Sequence, residues 1–172
     1  MTATTQVAYE DDLDYEIVNG HKEVKMAGAS HGRIGGKVLS KIEVYLEQNA
    51  VGGVYLSNTT FLIGKNERMP DVSFVSAARF PPEGEPATKW EIAPDLAVEI
   101  ISPNDIWDRV NQKVEEYFAA GVQQVWLVSL PLERVIIYDS PTQTVTLTTN
   151  DELTSERLLP GFKCRVADLF AR

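Results

Sequence analysis

Short apolar runs alternate along the chain with polar, turn-forming stretches, and the spacing inside each run separates strand from helix. In YEIVNGHKEVKMA, residues 15–27, Asn19-Gly20 divides two alternating segments and predicts a β-hairpin with a two-residue turn. Over residues 30–49, Ile34, Val38, Ile42 and Tyr45 or Leu46 recur at helical spacing, while Arg33, Lys37 and Lys41 form a basic stripe on another face. Residues 54–63 and 72–75 read as strands joined by the turn-like GKNERMP, and FPPEGEPATKW reads as an exposed loop. The apolar run at 96–101, within DLAVEIISP, predicts a strand buried on both faces. SPNDIWD offers several helix caps, and residues 109–120 form a second helix stopped by Gly121. Residues 125–128 and 134–138 are further strands about a turn at Pro131. Residues 144–148 make a Thr-rich exposed edge, and a short tail closes near Leu169. The order ββ-α-ββ-β-α-βββ is that of a mixed α/β sandwich. No repeat, linker or composition break divides it, so residues 1–172 are expected to form a single domain, with about residues 1–14 flexible.

Composition narrows the setting. The chain has 172 residues, 44% of them hydrophobic, enough to bury a substantial core. No apolar segment approaches the roughly 20 residues that span a bilayer, and the N-terminal stretch lacks the basic start and apolar run of a secretory signal. A soluble cytoplasmic protein is the expectation. Cys164 stands alone, which excludes an intrachain disulfide and a Cys-based metal site and suggests a buried thiol. The net charge of −9 opposes long-range attraction to polyanions, so a nucleic-acid partner would need a local basic patch or metal ions. The acidic clusters at residues 10–14 and 151–156 read as solvated surface.

One residue does not fit its surroundings. Side chains alternate along a strand, so Glu99 shares a face with Ala97 and Ile101 and points toward something packed. A buried carboxylate calls for a cationic partner, hydrogen bonds, protonation or a metal. Pro70-Asp71 opens another predicted strand, so Asp71 can reach the same sheet edge; alone, it is also ordinary turn chemistry. Lys113, on the helix after the Glu99 strand and in line with Tyr117 and Ala120, can lie over that strand or remain a surface lysine. A structural ion pair and a functional cluster both remain open at this point.

The order Pro70-Asp71, then an acid on a buried strand, resembles the PD-(D/E)XK nuclease superfamily. Its signature lysine follows the acid by two positions, where this chain has Ile101; some branches carry the lysine on the next helix, and Lys113 fits that variant. YEIVNG, His31, MPDVSFV, PDLAVEIISPND, QKVEEYFAAGVQQVWLV and LPGF resemble, over nearly the whole chain, the Uma-two family of bacterial restriction-endonuclease-like proteins. Ser129 departs from the WLVD found in many members. The resemblance implies a restriction-endonuclease-like fold, with a mixed central sheet flanked by helices and an N-terminal β-hairpin.

It also implies an Mg²⁺-dependent endodeoxyribonuclease, with Mn²⁺ as a possible substitute. Asp71, Glu99 and the Ile100 carbonyl would hold the ion, and Lys113 would act at the water or phosphate. His31 and Glu16 match family positions as secondary candidates, each with a structural alternative: a helix-entry histidine and an ion pair. Arg33, Lys37 and Lys41 are candidate phosphate contacts or a solvated helix face. His21 is expected to be exposed beside its turn. Trp90, Trp107 and Trp126 read as core or loop anchors rather than a base-stacking set, and no motif points to an organic cofactor. A homodimer acting on DNA is the expected assembly. Two other classes compete: a nuclease-like module that binds without cutting, and a metal-independent carbohydrate hydrolase using Asp71 and Glu99 as an acid/base pair.

Overall fold

The structure, a computed structural model, describes residues 14–172. The acidic residues Glu10, Asp11 and Asp12, and all but Asp14 of the segment expected to be flexible, lie outside the described residues. Strands β1 (Tyr15–Val18) and β2 (His21–Val24) form the expected hairpin. Asn19 and Gly20 take φ values of 51° and 81°, the left-handed pair that a two-residue turn between right-twisted strands requires. Helix α1 (Ala29–Leu46) follows and buries Ile34, Val38 and Ile42. Next come β3 (Gly52–Leu56), β4 (Phe61–Ile63), β5 (Asn66–Arg68) and β6 (Val72–Ser76), a 3-10 turn at Ala77–Arg79, and β7 (Leu96–Ile101). Helix α2 (Trp107–Ala119) leads to β8 (Gln124–Ser129), β9 (Arg134–Ser140), β10 (Gln143–Leu147), β11 (Glu152–Ser155), β12 (Leu159–Arg165) and α3 (Val166–Phe170).

Several expectations need correction. Residues 54–63 are two strands, β3 and β4, broken by a turn. The polar GKNERMP contains β5, whose Asn66 and Arg68 are buried, so its polarity marks an inward ionic face. Trp90, read from the sequence as a core or loop anchor, is buried against Phe61 and Tyr55 at the end of the loop. No side chain of SPNDIWD caps α2. Ile106 occupies the cap position, and Asp105 instead accepts the Ser102 amide at 2.6 Å. Gly121 stops α2 with φ 96°, as expected. The tail is a β11–β12 hairpin followed by a short helix.

A six-stranded sheet in the order β10-β9-β8-β7-β6-β3 carries the fold, with β7 and β8 parallel across α2 and the other neighbours antiparallel. This is a restriction-endonuclease-like mixed α/β architecture. A four-stranded sheet, β2-β1-β5-β4, stands beside it. On one face of β7, Leu96, Val98 and Ile100 pack with Ile34, Val38 and Ile42 of α1 and with Phe162 and Leu169 from the tail. On the other, Ala97 packs with Val125, Leu127 and with Val114 and Tyr117 of α2. Cys164 is buried in the first core, Trp126 is fully enclosed, and Trp107 is exposed. Strand β10 is the exposed sheet edge expected from its threonines. Among the described residues, no helix is long and apolar enough to cross a membrane.

Asp95, immediately before β7, ties one end of this sheet together. It is fully buried. Its carboxylate accepts the Ser76 amide at 2.7 Å, Arg79 Nη1 at 2.8 Å and Gln123 Nε2 at 2.5 Å. Burial alone would raise the Asp95 carboxyl, but the Ser76 amide and Arg79 outweigh it and hold the group below its ordinary value. A depressed folded-state pKa gives stability that is present above the unfolded value near 4 and lost as pH falls through the folded value. Asp95→Ala should therefore lower unfolding stability by about 2–4 kcal/mol at neutral pH. Urea titrations between pH 2 and pH 5 should show a shallower pH dependence for Asp95→Asn than for the native chain. Equal slopes would show that Asp95 is not a stabilising anion.

Candidate active site

At the opposite end of β6 and β7 the sheet gathers charge. The antiparallel register sets Val72 opposite Val98 and Ser73 opposite Ala97, and its continuation by one step sets Asp71 opposite Glu99. The two carboxylates thus occupy neighbouring strands on the face that α2 covers. The Ile100 amide donates to Asp71 Oδ2 at 2.7 Å, locking the Asp71 side chain against β7. Since the N–H and C=O of a strand residue point to the same edge, the Ile100 carbonyl is directed toward the Asp71 side.

Each acid has its own cations. Lys113 Nζ lies 3.0 Å from Glu99 Oε1, and Tyr117, one turn further along α2, donates its hydroxyl to the same oxygen at 2.5 Å. Thus α2 delivers both donors to β7, and the contacts of Glu99 run through Oε1. Asp71 Oδ1 accepts from Lys25 Nζ at 2.8 Å, and the same ammonium donates to the Met69 carbonyl. His31 Nε2 approaches Asp71 Oδ2 to 2.9 Å, off the line of a good hydrogen bond, and its Nδ1 lies 3.4 Å from Ser102 Oγ.

Glu16 completes the cluster from the small sheet. Strand β1 pairs Ile17 with Glu67 of β5, which brings Glu16 opposite Arg68. Glu16 Oε2 accepts from Arg68 Nη1 at 3.0 Å, while Oε1 accepts the Met69 amide at 2.8 Å and Lys113 Nζ at 3.1 Å. Arg68 also reaches Glu116 of α2 at 2.5 Å, and Asn66 donates to the same Glu116 oxygen at 3.0 Å. Lys113 is therefore shared between Glu16 and Glu99 and lies between the two sheets.

The protonation preferences follow from these contacts. Burial pushes the Glu99 carboxyl above its ordinary value; Lys113 opposes that shift and Asp71 adds to it. Burial also works to raise Glu16 and Asp71, yet Lys113 with the Met69 amide, and His31 with Lys25, hold those two carboxyls low. His31 is raised chiefly by Asp71, and Tyr117 is raised by burial and Glu99, so its hydroxyl stays a neutral donor. Lys113 is disfavoured as a cation by burial, but Glu99 and Glu16 more than compensate and keep it protonated.

Asp71, Glu99, Lys113, His31, Glu16 and the Ile100 backbone are thus brought together. The basic stripe is not: Arg33 donates to the Ala171 carbonyl at 3.0 Å, Lys37 to the Asp168 carbonyl at 3.0 Å, and Lys41 lies 3.6 Å from Asp168 Oδ2. These contacts fasten the C-terminal helix to α1. Lys25, Arg68 and Glu116 are cluster members absent from the sequence-based set. A basic residue between the hairpin and His31, and another three positions before Asp71, were the available signals.

Among the described residues, no group of three or more His, Cys, Asp or Glu stands ready to hold a metal ion. The available donors are hard oxygens: two carboxylates on adjacent strands and a strand carbonyl. That chemistry fits Mg²⁺, which accepts few protein ligands and retains waters. The upward push of Asp71 on Glu99 is the repulsion that a cation between them would relieve.

A mixed sheet that brings two acids and a helical lysine together at one end defines a restriction-endonuclease-like protein. The family described as "Putative restriction endonuclease", Uma2, matches residues 4–167, and the chain belongs to it. A crystal structure described as a putative nuclease belonging to DUF820, from Anabaena variabilis, shares the fold with a TM-score of 0.80. It is 22% identical, and the match covers 91% of this chain and 89% of that one. No curated protein matches the chain.

Arg68 is 6% exposed and balances two carboxylates at once. Arg68→Met should cost about 3–5 kcal/mol of stability, because it leaves Glu16 and Glu116 short of charge in a buried place. Chemical denaturation checks this. A loss below about 1 kcal/mol would mean that the network is solvated.

Proposed function

We propose that the protein is an Mg²⁺-dependent endodeoxyribonuclease of the PD-(D/E)XK type, hydrolysing phosphodiester bonds at the Asp71–Glu99–Lys113 cluster. One observation carries the reading. Three side chains far apart in sequence converge, with Lys113 3.0 Å from Glu99 and the Ile100 amide 2.7 Å from Asp71. In the proposed roles, Asp71, Glu99 and the Ile100 carbonyl hold the ion. When bound, Mg²⁺ supplies charge neutralisation at the phosphate and a lowered water pKa.

The other roles belong to side chains of the chain itself. Lys113, kept protonated by Glu99 and Glu16, is a poor general base, so its part is electrostatic: it stabilises negative charge developing on the phosphate and orients the attacking water. Tyr117 fixes the Glu99 rotamer through Oε1. Glu16, anchored by Arg68 and the Met69 amide, positions Lys113. His31 lies 2.9 Å from Asp71, and its proposed role is to approach the phosphate or the attacking water from that side. Nucleic acid, DNA in particular, is the proposed partner, and a cytoplasmic homodimer the proposed form, in keeping with the buried Cys164 thiol and the prevalence of two-fold assemblies.

A second reading, a nuclease-like scaffold that binds without cutting, draws on the ion pairs that already engage both carboxylates. Incubation of duplex DNA with Mg²⁺ separates the two. Asp71→Asn, Glu99→Gln and Lys113→Met should each lower the cleavage rate about 10²–10³-fold with folding retained, and Asp95→Asn should leave it near native. Cleavage unaffected by Glu99→Gln would sink the assignment. Full-strength DNA binding with no cleavage by the native chain under any divalent ion would favour the scaffold.

A further inference from the structure

Lys25 differs from the other cations of the cluster in where it comes from and in how many acids it serves. It lies in the segment between β2 and α1, and its side chain is 23% exposed, against 17% for Lys113 and 8% for Arg68. Lys113 joins Glu16 to Glu99 and Arg68 joins Glu16 to Glu116, whereas among the described residues Lys25 pairs with Asp71 alone. Its ammonium bridges an Asp71 carboxylate oxygen and the Met69 carbonyl, two hard oxygens of the kind a divalent cation seeks. A cleft of about 190 Å³ opens beside it, lined in part by Lys25, His31, Gly32, Gly35 and Asp71.

We propose that Lys25 is an exchangeable counter-ion: it neutralises Asp71 in the ion-free protein, yields that carboxylate to a divalent cation, and turns its ammonium into the cleft to bind a phosphate of the nucleic acid. The proposal rests on the reading of Asp71 and Glu99 as Mg²⁺ ligands. The charge balance supports it. Glu16, Asp71, Glu99 and Glu116 face three permanent cations, Lys25, Arg68 and Lys113, which leaves one net negative charge with His31 neutral. A divalent ion entering with Lys25 in place would leave the buried cluster with a net positive charge. With Lys25 released the cluster is neutral, the state a low-dielectric site favours. Lys25 is the cation freed at least cost, since it is the most exposed of the three and leaves a single acid, the one the incoming ion takes over.

Turned into the cleft, the amine places positive charge at the mouth of a site on a chain of net charge −9, where a phosphate backbone otherwise meets repulsion. Metal and nucleic acid then help each other bind, because the phosphate captures the lysine that the metal releases.

Calorimetric titration of Mn²⁺ into the full chain, with Lys25→Met, Lys25→Arg and Asp71→Asn alongside and thermal unfolding to verify folding, tests the exchange without relying on activity. Lys25→Met should bind Mn²⁺ about tenfold more tightly than the native chain, Lys25→Arg should bind like it, and Asp71→Asn should lose binding. In titrations of a short DNA duplex with Ca²⁺ over a salt series, Lys25→Met should weaken binding and reduce the salt slope by about one. Unchanged or weaker Mn²⁺ binding by Lys25→Met, with Asp71→Asn still defective, overturns the exchange and leaves the metal site standing. An unchanged salt slope overturns it equally. No Mn²⁺ binding by either the native chain or Lys25→Met removes the metal site and the exchange together.

Discussion

The register between β6 and β7 is the constraint on which the rest of the site depends. With Val72 opposite Val98, Val72, Phe74, Leu96, Val98 and Ile100 face α1, while Asp71 and Glu99 come side by side on the opposite face. A slip of one residue would turn Glu99 into the core around Ile34 and Val38 and expose Val98 to the charged face. The apolar cluster under α1 therefore fixes the positions of two carboxylates whose side chains lie outside it, and its member Ile100 holds Asp71 through a backbone amide. Their mutual repulsion and burial then have to be compensated, and the lysines, arginine, histidine and tyrosine around them perform that compensation.

Compensation explains the shape of the N-terminal third. A hairpin that serves only as packing would present apolar residues inward, but β1 presents Glu16 and β5 presents Asn66 and Arg68. Those side chains meet Lys113 and Glu116 on α2, so β1 and β5 are joined to the rest of the fold through ion pairs and hydrogen bonds, while Phe61 and Ile63 of β4 share an apolar layer with Ala97, Val114 and Leu127. The ionic joint is sensitive to geometry: every member has to be matched, and an unmatched one costs far more than a missing methyl group. It also holds the Lys113 ammonium in a fixed place, which is what an electrostatic role at a phosphate requires.

Much of this was legible in the chain itself. Asn19-Gly20, the helical spacing from Ile34 to Ile42, the buried run around Glu99 and the stop at Gly121 each carry a local physical signal, and each appears where that signal puts it. Glu99 stood out because a carboxylate in an apolar strand demands a partner; Asp71 and Lys113 were candidates near it, and the resemblance to PD-(D/E)XK nucleases joined the three into one expected site. Lys25 and Arg68 were harder to see. They lie in polar stretches whose alternation is indistinguishable from that of a solvated turn, and only strand pairing reveals that one side of GKNERMP faces inward. Asp95 was hidden for a related reason: it borders the same apolar run as Glu99, yet its partners lie at the end of β6 (Ser76), in the 3-10 turn that follows it (Arg79) and in the segment before β8 (Gln123). The stripe of Arg33, Lys37 and Lys41 has the right period for a phosphate-binding face, but its partners are backbone carbonyls and an aspartate of the C-terminal helix, which no local pattern announces.

The central claim is that Asp71 and Glu99 share one cation. Diffraction from crystals soaked in Mn²⁺, measured at the manganese absorption edge, addresses it directly. The account predicts an anomalous peak within coordination distance of an Asp71 carboxylate oxygen, a Glu99 carboxylate oxygen and the Ile100 carbonyl. A peak bound elsewhere, or a fully ordered site in which Lys25 and Lys113 keep both acids while no manganese enters, would contradict it.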